Sequence, residues 1–513
     1  MKSINNIISI ALAVLSFSCS SLLEVDPKSS VKMDDYWQNG LDAEAAIMGC
    51  YRTFGDETKR LVCWGDGRGD ILYGGEGATF DDIFNNVRRN GITELSESAN
   101  WQSMYSVINQ ANQIIVNTPK IVDRDNSFTV VERDNIMAEA YFMRALAHFY
   151  LARVFESAPY VKVPTTSASQ DFHNAPISQM EMFENVIADL DSALALDIVI
   201  DYQVDERQNH GRATRGAVYS MKTDVYLWMK DYANAVVSAD SVLSIPRYQL
   251  QTGETWVDLF RVGNQPESIF ELQYDVVYLV ENDLLQIFNR RDNREGGVPY
   301  GSQIYKTNFR NKKYWEADNA NNIDNIRGIN ASYSGEGTIP WKYVGISDTE
   351  VRRNRDVNYI LYRLAGVMLN KAEALNRLGR KQEALDIVNQ IRARAGIQPA
   401  NDYQKNNPRF LSPRDYMETI EDAIMDEKAR ELAYEGSRWF DLVRLSKRRG
   451  NADYMRNALS LYGYNWIDGV LPQESIDIIS SIVDEPRSWY WPYYYKEVQS
   501  NRNISQKPYY TGK

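Results

Sequence analysis

Histidine and cysteine are nearly missing, with three of each in 513 residues. The histidines, His148, His173 and His210, are widely separated, and His148 lies in a helical run that reads as core. No HExxH and no Cys/His cluster occurs, so the usual zinc spacings are not met. No GxSxG elbow occurs either. A glycoside hydrolase needs two carboxylates across a cleft. Asp66, Asp70, Asp81 and Asp82 are acids within one region, and they read first as solvated or hydrogen-bonding loop acids. Asp318 to Asp324 gathers oxygen ligands but lacks the glycine and closing glutamate of an EF-hand. A structural Ca²⁺ there is the weaker reading, and no cofactor is expected. Gly65 to Asp70 is glycine-rich, yet no strand–helix unit around it supports a Rossmann turn or a P-loop. The adhesion tripeptide spelled by Arg68-Gly69-Asp70 is discounted as a three-letter coincidence. With none of these motifs present, the chain is read as not an enzyme.

Excess positive charge is also absent. A net charge of −12 argues against a nucleic-acid partner. Only one long apolar run is present, Ile7 to Phe17, too short to span a bilayer. It follows Lys2 and ends at Leu15-Ser16-Phe17-Ser18-Cys19. Residues 1–18 therefore read as a lipoprotein signal peptide, with Cys19 as the acylated first residue of the mature chain; two or more acyl chains would anchor it firmly. Cys50 shares a helical face with Ala43, Ala46, Ile47, Tyr51 and Phe54, which reads as a buried thiol. A Cys50–Cys63 disulfide is the less favoured alternative in an oxidising compartment.

Helices and aromatics are plentiful. Ala217 to Met229 leads through a short turn into Ala233 to Leu243; Tyr362 to Leu378 leads through another into Gln382 to Arg392. Aligned, Ala235 meets Ala384 and Lys230 meets Gly379. This is the tetratricopeptide arrangement. Ala138 to Phe155 with Ile177 to Leu196 forms a third pair, and Ala423 to Leu445 contributes to a fourth. The pairs are separated by insertions at residues 62–90, 275–351 and 446–495, where function concentrates. There are 33 Tyr, 11 Trp and 16 Phe. The insertions hold many of them, including Tyr300, Tyr305, Tyr314, Tyr333 and the run Trp489 to Tyr495.

Ile424 to Arg444 reads as one amphipathic helix. Ala429, Leu432, Ala433, Gly436, Phe440 and Val443 lie on one face; Glu431, Glu435, Arg438, Asp441 and Arg444 lie on the other. Gly436 inside a helix is unfavourable by about 1 kcal/mol against Ala, so a close neighbour is expected there. The wording ELAYEGSRWFDLVR resembles the signature of the SusD/RagB family of nutrient-binding outer-membrane lipoproteins. Further blocks resemble the same family in order: Val25-Asp26-Pro27 with Tyr36-Trp37, Ala138 to Phe155, Gly211 to Tyr226, Ser268 to Tyr274, and Tyr362 to Ile397. At the C-terminus Pro492, Glu497, Asn501, Gln506 and Pro508 match, whereas Tyr493 to Tyr495, Lys507 and Tyr509 depart from the pattern, a local repacking near the chain end.

The resemblance implies a mainly α, SusD-like fold with few short strands. Residues 19–513 would be a single domain, with helical pairs around 138–196, 214–243, 362–393 and 423–445. It also implies a cell-surface, lipid-anchored protein of the outer membrane. Such a protein captures a glycan and delivers it to a SusC-like TonB-dependent barrel transporter. A peptide-capturing RagB-like role is the alternative, and a glycan hydrolase a weaker one. In that family the ligand site is built from the first two insertion regions. Flat rings bury the apolar face of a sugar while polar groups meet its hydroxyls. Trp64, Tyr73, Trp315, Trp341 and Tyr343 are the candidate platforms, and Arg68, Asp70 and Asn85 the candidate rim groups. Trp37, Trp101, Trp228 and Trp439 read instead as core.

Overall fold

A computed structural model describes residues 36–74, 91–202, 205–288, 305–307, 326–334, 339–397, 399, 420–460 and 473–512. The signal-peptide reading of residues 1–18, Cys19, Asn85, Trp315 and the Asp318–Asp324 stretch lie outside the described residues.

The architecture is mainly helical. Its principal helices are α1 (Gly40–Gly55), α2 (Thr58–Asp66), α3 (Gln102–Asn117), α4 (Val130–Phe155), α5 (Gln179–Ala195), α6 (Arg215–Met229), α7 (Tyr232–Leu243), α8 (Leu364–Arg377), α9 (Lys381–Arg394), α10 (Ile420–Glu431) and α11 (Arg438–Arg449). Helix starts are chemically marked. Asn39 with Asp42, Thr129 with Glu132, and Ser178 with Glu181 form reciprocal capping boxes on α1, α4 and α5. Packing follows chain order: α1 on α3, α3 on α4, α4 on α5, α5 on α6, α6 on α7, α7 on α8, and α8 on both α9 and α10. The predicted alignment of the two pairs holds at the backbone. Lys230 and Gly379 both turn left-handed (φ 62° and 80°). In each turn the amide of that residue bonds the carbonyl three back, and the next amide bonds the carbonyl five back. This is a Schellman closure. Ala235 and Ala384 are both fully buried.

Strands are few. Ladders join β1 (Leu72–Gly74) to β5 (Tyr305–Thr307), β2 (Ala158–Pro159) to β3 (Pro176–Ile177), and β4 (Ser268–Leu272) to β6 (Tyr359–Arg363), all antiparallel. Four boundaries differ from expectation. Ile424 to Arg444 is two helices, α10 and α11, broken where Tyr434 and Gly436 take φ of 68° and 71°. Tyr362 and Arg363 end β6 and do not begin α8. Trp64-Gly65-Asp66 is the last turn of α2 and not loop. The third insertion is largely structured, through the end of α11 and two further helices, Asp453–Ser460 and Gln473–Val483.

One hydrophobic core includes Trp37, Trp101, Trp228 and Trp439, as expected. It also takes in Trp489, Tyr490, Trp491, Tyr493 and Tyr494 from the C-terminal aromatic run. That run is held by Trp491 N–H donating to Val154 O and Tyr495 N–H to Glu94 O, both 2.9 Å. Lys507, one of the departures from the family wording, donates to the carbonyls of Phe155 and Trp491. Burial pulls its ammonium down to about 7. Cys50 lies on the buried face of α1 with Ala43, Ile47 and Phe54. Cys63 is also buried, and no disulfide joins the two. His148 is a core residue stacked on Tyr160 at 3.8 Å, and burial pushes its imidazole down to about 3.

Candidate functional site

The first and second insertions meet in the β1–β5 ladder, where Leu72 faces Thr307, Tyr73 faces Lys306 and Gly74 faces Tyr305. Closing a strand pair across more than 200 residues of sequence carries an entropic cost that support from the core must offset. The support is the segment leading into β1, and every polar group along it reaches into the core.

Trp64 is buried, its Nε1–H donating to Ser98 O (2.8 Å) and its ring set edge-on to Phe155 (5.9 Å). Asp66 is buried too. Its carboxylate accepts from Gly436 N–H (2.9 Å) and Arg438 N–H (3.1 Å), the two amides exposed by the break between α10 and α11. Burial outweighs these two donors and raises the Asp66 carboxyl to about 7. The Arg68 guanidinium lies 4.3 Å from the Trp439 ring centre and 5.2 Å from that of Trp491, and donates to Ser488 O (2.7 Å). Burial lowers its pKa to about 10. Asp70 receives two bonds from Arg438, at 2.7 and 3.1 Å, a bidentate pair shut off from water.

The sequence-predicted rim and platforms are therefore redistributed. Trp64, Arg68 and Asp70 present no surface for a ligand, because Trp64 lies in the buried last turn of α2, Arg68 sits between two tryptophan rings and Asp70 is paired with Arg438. Trp341 and Tyr343 are also interior: Trp341 Nε1–H donates to Ser347 O (2.9 Å), and Tyr343 packs edge-on against Phe260 (5.3 Å). Tyr333, another aromatic of the second insertion, is buried as well. Tyr73 is placed by its backbone in the ladder itself.

Sequence reasoning missed the charged frame beneath. Glu431, Arg438, Asp441 and Arg444, placed on the charged face of the segment, are all buried. The expected spacing of three does appear in Arg444 paired with Asp441. Most partners of the frame are remote in sequence. Arg327 bridges Glu427 (2.7 Å) and Glu431 (2.8 Å), and Arg363 ties Glu431, Glu435 and Glu267 together at 2.6–2.7 Å. The surrounding arginines hold the Glu427 carboxyl down at about 2 against the opposing effect of burial. The signal for this frame was the run of acids and arginines in EKARELAYEGSR, which lacks the lysine-rich look of a solvated face. Among the described residues no group of His, Cys, Asp and Glu is arranged to hold a metal, and no helix is long and apolar enough to cross a membrane.

The fold recurs among solved structures. A SusD homolog from Bacteroides thetaiotaomicron superposes with a TM-score of 0.72 at 18% identity, covering 94% of this chain and 99% of that one. NanU of B. fragilis gives 0.69 at 20% identity, covering 95% and 100%. In sequence, a SusD-like protein of Formosa agariphila is 28% identical over 488 residues, 87% of this chain and 91% of the relative. A SusD-like protein of Bacteroides ovatus is 25% identical over 481 residues, 84% and 80% of the two chains. The family described as "Starch-binding associating with outer membrane" matches residues 81–227. The SusD family matches residues 245–510, a span that holds the β4–β6 ladder, α8 to α11 and the aromatic C-terminal run. By that match over half its length, the chain belongs to the SusD family.

Proposed function

We propose that this protein captures an oligosaccharide or polysaccharide at the cell surface and hands it to a SusC-like TonB-dependent transporter, held to the outer membrane by acylation at Cys19. The carrying observation is the β1–β5 ladder. It unites the two insertions expected to form the ligand site, on roots pinned by Asp66, Arg68 and Asp70. With those roots consumed in structure, the ligand contacts fall to the arms beyond them, where Tyr73, Asn85 and Trp315 remain the candidates. The work is binding and release without bond breaking. The family description of starch binding at the outer membrane supports a glycan as cargo.

Native-gel retardation of the purified protein by starch, xylan, mannan and laminarin tests the cargo. Slowed migration in at least one gel, with no new reducing ends on incubation, is the expected result. New reducing ends would establish a hydrolase. Retardation by none of these glycans, together with binding to a peptide mixture, would replace the sugar reading with peptide capture. Co-purification with a large outer-membrane barrel after mild detergent extraction tests the hand-over, and Cys19→Ala should release the protein from the membrane fraction.

A further inference from the structure

A further concave surface uses the first residues of the second insertion. A groove of about 480 Å³ opens between α1, the single turn Gln208–Gly211 and a small hairpin, Asp275 to Val280. No residue of β1 or β5 lines it. Its size is within the range of about 300–1,000 Å³ typical of small-molecule sites.

The hairpin is built to hold its tip rigidly. Asp275 and Val280 exchange backbone hydrogen bonds of 2.8 and 3.0 Å, and the Asp275 carboxylate caps Val277 N–H at 2.8 Å. Leu279 completes the turn in a left-handed conformation (φ 57°). On this fixed frame stand three large apolar side chains, Val277, Tyr278 and Leu279, exposed by 79%, 75% and 81%. Contiguous apolar exposure of this kind marks a contact surface more often than chance. Of the three, Tyr278 alone lines the groove.

The floor has the opposite character. Asn358 Nδ2 donates to Glu271 (2.8 Å) and Gln273 (3.0 Å), and Gln273 Nε2 donates to Asn264 Oδ1 (2.7 Å). Gln273 is saturated by these bonds and by Asn264 Nδ2 and Glu271, and it holds its neighbours in place: Asn264 keeps one N–H, and Asn358, whose Oδ1 accepts from Tyr274 N–H, keeps one lone pair, each in a fixed direction. An anionic ligand is disfavoured. Five acids and three arginines line the groove, and each arginine is already engaged: Arg212 with Glu44 and Glu139, Arg52 with Asp56, and Arg207 with Asp205. An aromatic ring at the lip over an amide floor, without spare positive charge, suits an uncharged polyhydroxylated molecule with apolar faces.

We infer that this groove is a second carbohydrate site, which holds a short stretch of a neutral glycan with Tyr278 against a sugar face and Asn264 and Asn358 beneath its hydroxyls. The inference rests on the glycan-binding reading above and adds a distinct place of contact. Two sites on one chain would raise avidity for a polymer above that of either site alone.

The test uses the full-length chain in detergent and native gels containing starch, xylan, mannan or laminarin. Tyr278→Ala should weaken retardation by the bound glycan about three- to tenfold, the range expected for one stacked ring. Its melting temperature should not change, since the side chain is exposed. Leu279→Ala removes a neighbouring apolar group outside the groove and should leave retardation at the wild-type level. Unchanged retardation of Tyr278→Ala overturns the second site while the glycan reading stands. Equal losses in Tyr278→Ala and Leu279→Ala also overturn it, because they describe a sticky tip and not a groove. Wild-type protein that none of the four polymers slows overturns the glycan reading and the second site together.

Discussion

Gly65 and Gly436 meet backbone to backbone, so closely that a Cβ on Gly65 would lie 1.8 Å from the carbonyl oxygen of Gly436. Gly65 cannot grow a side chain without parting α2 from the break between α10 and α11. Gly436 is doubly constrained, since its φ of 71° is left-handed and a Cβ there would meet the Tyr359 hydroxyl at 2.5 Å. Gly65→Ala should destabilise the fold by about 1–3 kcal/mol or more, the usual range for overpacking. Urea unfolding measures this directly, and a midpoint equal to wild type would refute the contact.

The Asp70–Arg438 pair predicts an asymmetric mutant set. Asp70→Ala leaves a buried guanidinium without its bidentate partner and should reduce stability by about 3–5 kcal/mol. Removing both charges, with Asp70→Leu and Arg438→Met, should recover much of that loss. A double variant no more stable than Asp70→Ala would show that Arg438 acts chiefly through its other partners, Met425 O and the Tyr454 hydroxyl.

Asp66 sets a pH dependence. Its carboxyl is raised from 3.8 to about 7, chiefly by burial. The native chain therefore binds this proton more tightly than the unfolded chain does. The stabilising contribution is complete below the unfolded pKa and is lost as pH rises through about 7. Wild-type melting temperature, compared with that of Asp66→Asn, should fall relative to the variant across that window. Parallel curves for the two proteins would contradict the prediction.

Both core thiols should be inert in the native state. Cys50 and Cys63 are fully buried, and burial raises the Cys50 thiol well above its ordinary value. Intact-mass analysis after iodoacetamide should find them unmodified in native protein and alkylated after unfolding. Modification at native-state rates would place at least one of them near solvent.

Much of the scaffold was legible because its cause is local. The alignment of Lys230 with Gly379 and of Ala235 with Ala384 came from the sequence repeat alone, and the turn conformations agree. The buried face around Cys50 followed from helical spacing, and the glycine at 436 gave away its close neighbour. The candidate site was far less legible. Trp64, Arg68 and Asp70 looked like loop residues because glycines surround them. Arg68 and Asp70 are covered by Trp439, Trp491 and Arg438, some 370 to 420 positions away in the chain, and Trp64 by Phe155 and Ser98. The charged side of the signature segment has the same explanation: Arg327, Arg363 and Glu373 neutralise it from elsewhere. Hydropathy patterning reports that a residue is polar, and says nothing about whether a distant countercharge will accompany it inside.

The roots of the first arm are locked into the interior through Asp66, Arg68 and Asp70, whereas β1 itself is only three residues long. Selection can then rewrite whatever extends past that short strand without disturbing the foundations. Under the glycan-capture reading proposed above, ligand preference could change through substitutions beyond β1 while stability rests on the anchored base.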